Sequence, residues 1–112
     1  MVSNAKTRFL KKPAQKTRLV VNQIRGRSVN DAIAILRTSD KMVAKDIEKL
    51  LRSAVANAQQ GDARVDVDRL YVSRAVVDPA PHEKRARARS MGRIYRILKR
   101  RCHVAVELDA KA

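Results

Sequence analysis

DPAPHEKRARARSMGR, residues 78–93, is the stretch on which the fold turns. Hardly a side chain in it is large and apolar enough to bury, and Pro79 and Pro81 interrupt its start, so it cannot belong to a core. On both sides of it, however, the chain reads as strand. Upstream, Leu70, Val72 and Val76 alternate with Tyr71, Ser73 and Val77, which predicts a strand with the first three on its covered face. Val65 and Val67 fall on the opposite parity, which predicts a bulge or bend near Asp68. Downstream, Cys102, Val104, Val106 and Leu108 alternate with Arg101, His103, Ala105 and Glu107, the pattern of another half-buried strand. A short turn could have joined these two strands. Long connections inside compact domains tend to be functional or disordered, and residues 78–96 are read as an extended basic β-hairpin arm. Within it Arg85, Arg87 and Arg89 alternate with Ala86, Ala88 and Ser90, and Gly92 and Arg93 continue the phase. In extended backbone the arginines then share one side of a thin ribbon and the small residues the other. The small side lets another surface approach closely, while guanidinium forks take phosphate oxygens in pairs or stack on bases.

The remaining chain supplies a third strand and three helices. Residues Ala5 to Lys12 predict a short strand ended by Pro13. From Ala14 to Arg25, Leu19, Val20 and Ile24 are placed on one helical side, with Lys16, Arg18 and Arg25 facing elsewhere and Gly26 as the stop. Ser28 then reads as a helix cap with Asp31 three residues on, before a short helix through Leu36 that buries Val29, Ile33 and Leu36. The clearest helix runs from about Asp40 to Gln60, with Val43, Ile47, Leu50, Leu51, Ala54, Val55 and Ala58 at three- and four-residue spacing. Helices followed by strands predict an α+β class, and a length of 112 residues suits a single domain over 1–112.

Charge is distributed unevenly along this chain. The formal net charge is +15. Residues 1–30 hold eight Lys and Arg and no acid, and residues 84–106 hold nine and no acid, whereas 31–83 are close to neutral. Two acid-free blocks flanking a neutral middle read as two sides of one electrostatic footprint for a polyanion. The same charge opposes self-association, so no stable homo-oligomer is expected. No stretch approaches the roughly 20 apolar residues of a spanning helix, and the basic N-terminus lacks the apolar run of a secretory signal. Cys102 is the only cysteine, which excludes an internal disulfide and suits a reducing cytoplasm.

Catalytic chemistry finds little support. His82 and His103 are too few and too far apart in pattern for a metal site, and neither stands among carboxylates. Asp66 and Asp68 have the spacing of paired carboxylates but no histidine, nucleophile or glycine-rich phosphate loop beside them, and are read as a solvated bend. Cys102 is in phase with the buried valines and reads as a small core residue. The chain is therefore expected to be no enzyme and to need no metal or cofactor. A helix-turn-helix reading of the first two helices fails at the second, which from Val29 to Leu36 has no arginine to read guanine in a major groove. Membrane-surface binding would need an exposed apolar face beside the basic one.

Three motifs carry a family resemblance. The first is Ala14-Gln15-Lys16-Thr17-Arg18-Leu19-Val20 with Gln23-Ile24-Arg25-Gly26-Arg27; the second is Leu51-Arg52-Ser53-Ala54-Val55-Ala56-Asn57-Ala58. The third is Val77-Asp78, Pro81, Lys84-Arg85, Arg89, Gly92-Arg93, Ile97, Lys99-Arg100 and His103. In this order and spacing the sequence resembles the bacterial large-subunit ribosomal protein L twenty-two family. The resemblance implies three helices packed on a small three-stranded antiparallel sheet at the outer side of the large subunit, with the hairpin reaching the wall of the nascent-peptide exit tunnel. It also implies a role in subunit assembly, neighbouring ribosomal proteins as partners, and an influence on macrolide antibiotics through the tip. By position the tip is Arg87, Ala88, Arg89, Ser90 and Met91, close to the nascent peptide. Ala88 departs from the proline usual there, and Met91 from a commonly basic residue.

The RNA-contacting set expected from charge and resemblance together is Lys11, Lys12, Lys16, Arg18, Arg25 and Arg27 from the first block. From the second come Lys84, Arg85, Arg87, Arg89, Arg93, Arg96, Lys99, Arg100, Arg101 and His103. Tyr95 either stacks on a base or packs at the root of the arm. An arm with so little to bury is expected to be mobile in the free protein and to order against a polyanion. Amide resonances of residues 83–95 should therefore be poorly dispersed without RNA; sharp, well-dispersed signals would contradict this.

Overall fold

The computed structural model describes residues 2–61, 64–88, 92 and 94–110, with the backbone alone at 82–88 and 94–99. The chain runs as β1 (Ser3–Leu10), α1 (Ala14–Ile24), α2 (Val29–Thr38), α3 (Val43–Gly61), β2 (Leu70–Ala88) and β3 (Ile94–Ala110). The strands form one antiparallel sheet in the order β1-β3-β2. This is the expected α+β architecture of three helices on a small three-stranded sheet. Because β3 is central, its Cys102, Val104, Val106 and Leu108 are wholly buried, as their alternation requires. They join Val20, Ile24, Leu36, Ile47 and Leu51 from the helices in one hydrophobic cluster.

Local chemistry sets the helix ends. Ser28 caps α2, its Oγ accepting the Asp31 N–H at 3.3 Å. Gly26 takes a left-handed φ of 74° just past α1, where a side chain would strain the backbone. Buried Thr17 is satisfied within its own helix, its hydroxyl donating to the Pro13 carbonyl at 2.9 Å. On the outer side of α3, Glu48 accepts from Arg52 at 2.9 Å and from Arg37 at 3.1 Å. Those bonds, Arg52 first, hold its carboxyl below the usual range. The stabilisation they give is present at neutral pH and fades as pH falls through the depressed value.

Three expectations need correction. Leu19 is 53% exposed, and the buried face of α1 is Thr17, Val20, Val21 and Ile24. At 3.6 residues per turn Leu19 lies on the far side from that face. In β2, Val72 is followed in the core by Ala75 and Val77, not Val76. The register slips between Val72 and Arg74, and the extra residue, Ser73, reverses the parity of the strand beyond it. In α2, Ala32 is fully buried and Ile33 only partly so. The bend expected near Asp68 is a 3-10 turn, Val67–Arg69, in which Asp66 Oδ1 accepts the Asp68 N–H at 3.0 Å. The Asp66 carboxylate therefore caps a turn, while that of Asp68 accepts the Asn30 side-chain amide at 3.0 Å.

Among the described residues the core cluster ends at Val77 on β2 and Cys102 on β3, but the ladder does not. Pairing continues through Glu83↔Lys99 to Ala88↔Ile94, after a second slip between Ala80 and Glu83. A strand of the length of β2, 19 residues, spans about 63 Å at 3.3 Å per residue, close to the molecule's long dimension of 65 Å. The radius of gyration of 17.2 Å exceeds the roughly 13 Å of a compact chain of this length. The hairpin thus sets the shape, and the core anchors it. Ile47→Ala or Leu50→Ala, each truncating a residue at most 5% exposed, should cost about 2–5 kcal/mol in chemical denaturation. A loss below about 1 kcal/mol would mean that these positions are poorly packed.

Candidate nucleic-acid interface

The two basic blocks are far apart in sequence and meet at the root of the hairpin. A groove of about 580 Å³ is lined by Pro13, Ala14, Gln15 and Arg18 from the start of α1, by Pro79 and Ala80 of β2 and by Arg100 and Arg101 of β3. Lys11 and Lys12 lie in the bend just before α1, and Lys16 is exposed in its first turn. A second, smaller cavity of about 290 Å³ is lined by Lys12, Pro13, Lys16, Lys41, Met42 and Val43. Pro13 leaves α1 without a side-chain cap, and its first turn carries no acid. Positive charge thus surrounds an end of α1 that is already positive.

The arginines of α1 do a second job. β2 is an edge strand, and the Arg25 Nε donates to the Ala75 carbonyl at 2.9 Å. Arg18 donates through Nε and Nη2 to the Val77 carbonyl at 3.3 and 3.0 Å. Further along the same edge, the Gly26 N–H donates to the Val72 carbonyl and the Val72 N–H to the Arg27 carbonyl, both at 2.9 Å. The turn after α1 therefore extends the sheet, and the two guanidinium groups occupy carbonyls that another strand could have claimed. Both arginines remain exposed and retain further N–H groups. Arg27 is exposed at the end of α1, its Nε donating to the Gln23 carbonyl at 2.9 Å.

The sheet face opposite the helices is open. Across it Lys6 is opposite Ala105, which is opposite Val76; Asn4 is opposite Glu107, which is opposite Arg74. His103 faces the same way, paired with Asp78, and its Nδ1 accepts the Phe9 N–H at 3.0 Å. Arg100 is exposed and Arg101 half-buried. Of the expected contacts on the arm, Lys84, Arg85, Arg87, Arg96 and Lys99 have described backbone in the ladder, and their side chains lie outside the described residues. At the tip only Arg87 and Ala88 have described backbone; Arg89, Ser90 and Met91 lie outside the described residues, as does Arg93. Among the described residues no cluster of three His, Cys, Asp or Glu side chains could hold a metal ion.

This geometry suits a broad polyanion more than a small ligand. Residues 5–109 match the family described as ribosomal protein L22p/L17e. The chain belongs to this family. It is 49% identical over 111 residues to the large ribosomal subunit protein uL22 of Geobacter sulfurreducens, covering 99% of both chains. It is 46% identical over 109 residues to the uL22 of Anaeromyxobacter sp. (strain K), covering 97% of this chain and 75% of that one. The uL22 of Solibacter usitatus is 41% identical over 111 residues, 99% of this chain and 98% of its own. These relatives are ribosomal proteins and not enzymes, which fits the structural bonds made by Asp66 and Asp68 and the burial of Cys102.

The helix-turn-helix reading meets two obstacles in the structure. The turn between α1 and α2 is hydrogen-bonded to the edge of β2, and the Asn30 side-chain amide donates to Asp68 Oδ1 at 3.0 Å. Sequence reasoning passed over Lys6, Arg8, Phe9 and Arg74, which the topology brings to the open sheet or its rim; each looks ordinary in its own segment. Replacing Arg25 with alanine removes a charged donor from an edge carbonyl and should cost about 1 kcal/mol in denaturant unfolding. Unaltered stability would mean that water serves the Ala75 carbonyl equally well.

Proposed function

We propose that this chain is a structural constituent of the large ribosomal subunit in the cytoplasm. It binds large-subunit ribosomal RNA, supports subunit assembly, and lays its hairpin along the wall of the nascent-peptide exit tunnel. The observation that carries this reading is the convergence of the two acid-free blocks on one groove at the root of the hairpin, where Arg18 of α1 stands with Arg100 and Arg101 of β3. Family membership and full-length relatives named for the large subunit support it.

In this reading residues 1–112 act as one RNA-binding unit, with 78–96 as its arm. Phosphate neutralisation by Lys11, Lys12, Lys16, Arg27, Arg100 and Arg101 supplies most of the affinity, with Arg18 and Arg25 adding whatever donors the sheet edge leaves them. The arm adds fit by shape: Lys84, Arg85, Arg87, Arg89, Arg93, Arg96 and Lys99 follow RNA backbone that a thin ribbon can enter. Its tip, from Arg87 through Ala88, Arg89 and Ser90 to Met91, meets the nascent peptide. Neighbouring ribosomal proteins complete the surroundings, and the density of like charge opposes a homo-oligomer. No membrane is involved in this reading; among the described residues no helix is long and apolar enough to cross one.

The arm's part is tested by the salt dependence of binding to refolded large-subunit ribosomal RNA. Arg85→Ala and Arg93→Ala should each weaken binding and lower the slope of log affinity against log salt by about one unit per lost phosphate contact. Thermal unfolding should stay as in the parent chain, because both are arginines in a stretch with hardly an apolar residue to bury. Unchanged slopes would remove the arm from the phosphate-binding surface. Duplex DNA that competes as well as folded ribosomal RNA would reduce the reading to a generic affinity for polyanions.

A further inference from the structure

At the end of β1 the chain holds Phe9 in left-handed backbone, φ 56°. A bulky residue adopts this region only where its surroundings impose it, and such outliers cluster at binding sites. Here the surroundings are specific. The β1–β3 ladder slips between Thr7 and Leu10, the Phe9 N–H donates to His103 Nδ1 at 3.0 Å, and the two rings meet edge to face with centroids 4.8 Å apart. Yet the strained backbone does little to shelter the ring, since Phe9 is 50% exposed. The core does not need it, because Leu10 takes the inward place after the slip.

We propose that Phe9, propped by His103 on the open side of the sheet, is a stacking platform for one unpaired RNA base. This rests on the RNA-binding reading above and adds to it a contact that sees bases as well as charge. An imidazole can cover at most one face of the phenyl ring, and with half of the side chain exposed the ring keeps surface for a base. Single-stranded loops and bulges are the RNA elements whose bases are free to stack on aromatic side chains, and every base has a face to offer. The exposed Arg8 and Lys11 flank Phe9 in the chain and supply positive charge for the phosphates on either side of that base. Asp78, paired opposite His103, stands on the β2 side and directs those phosphates toward β1.

The sequence contains no tryptophan, so Phe9→Trp makes a single-site fluorescent reporter in the full chain. Refolded large-subunit ribosomal RNA should quench its emission strongly at saturation, whereas heparin, a polyanion without bases, should leave it nearly unchanged. Phe9→Asn is the companion variant, because asparagine tolerates the left-handed region and lets the chain fold without the ring. It should bind the RNA about tenfold more weakly, with the same salt slope and the same affinity for heparin, and Phe9→Trp should bind as the parent does. Emission that responds equally to RNA and heparin, or parental RNA affinity for Phe9→Asn, would overturn the platform and leave the RNA-binding reading in place. Failure of the parent chain itself to bind this RNA would overturn both.

Discussion

The burial of one stripe of β3 beneath three helices holds the molecule together. Cys102, Val104, Val106 and Leu108 are wholly buried, and each is in register with a neighbour on at least one flanking strand. Burying a side chain of this size contributes about 1.5–3 kcal/mol, and the stripe lies at the root of a hairpin whose outer sequence offers hardly an apolar residue to bury on β2. Remove the anchor and the ladder between β2 and β3 loses what fixes its register, since an arm of alternating arginine and alanine specifies register weakly on its own.

That anchor also allows the charge to be crowded. The groove at the root of the hairpin sets Arg18 beside Arg100 and Arg101, with the lysines before and within α1 nearby. At physiological salt, charges within about 8 Å still repel one another, so the free protein tolerates this arrangement against its own electrostatics. A polyanion turns the repulsion into attraction. Edge protection uses the same residues: Arg18 and Arg25 occupy the carbonyls of β2, and the turn after α1 pairs with Val72. The edge is thereby closed to a stray strand while cations stay beside the groove.

Much of the fold was legible because it rests on periodicity. The stripe of β3, the inward face of α3 and the Ser28 cap all follow from spacing and residue type. What escaped were departures from regular period. Ser73 reverses the parity of β2, so Val77 is buried where Val76 was expected, and no residue type near it announces a bulge. The slip after Thr7 puts Leu10 inward and leaves Phe9 half exposed, although Phe9 shares the parity of the half-buried Ala5 and Thr7. Leu19 was grouped with Val20 by hydrophobicity, while helical angle places it on the other side. For the candidate site, the sequence revealed both basic blocks, but only the fold brings Arg18 to Arg100 and ties Arg25 to a carbonyl.

The most direct test of the account is sedimentation of a tagged copy of the chain from cell lysate, with ribosomal subunits separated and washed in high salt. The account predicts that the chain stays with the large subunit, because the hairpin and the groove together hold RNA by shape as well as by charge. Release of the chain into the free fraction at a salt concentration that leaves the other large-subunit proteins in place would contradict it.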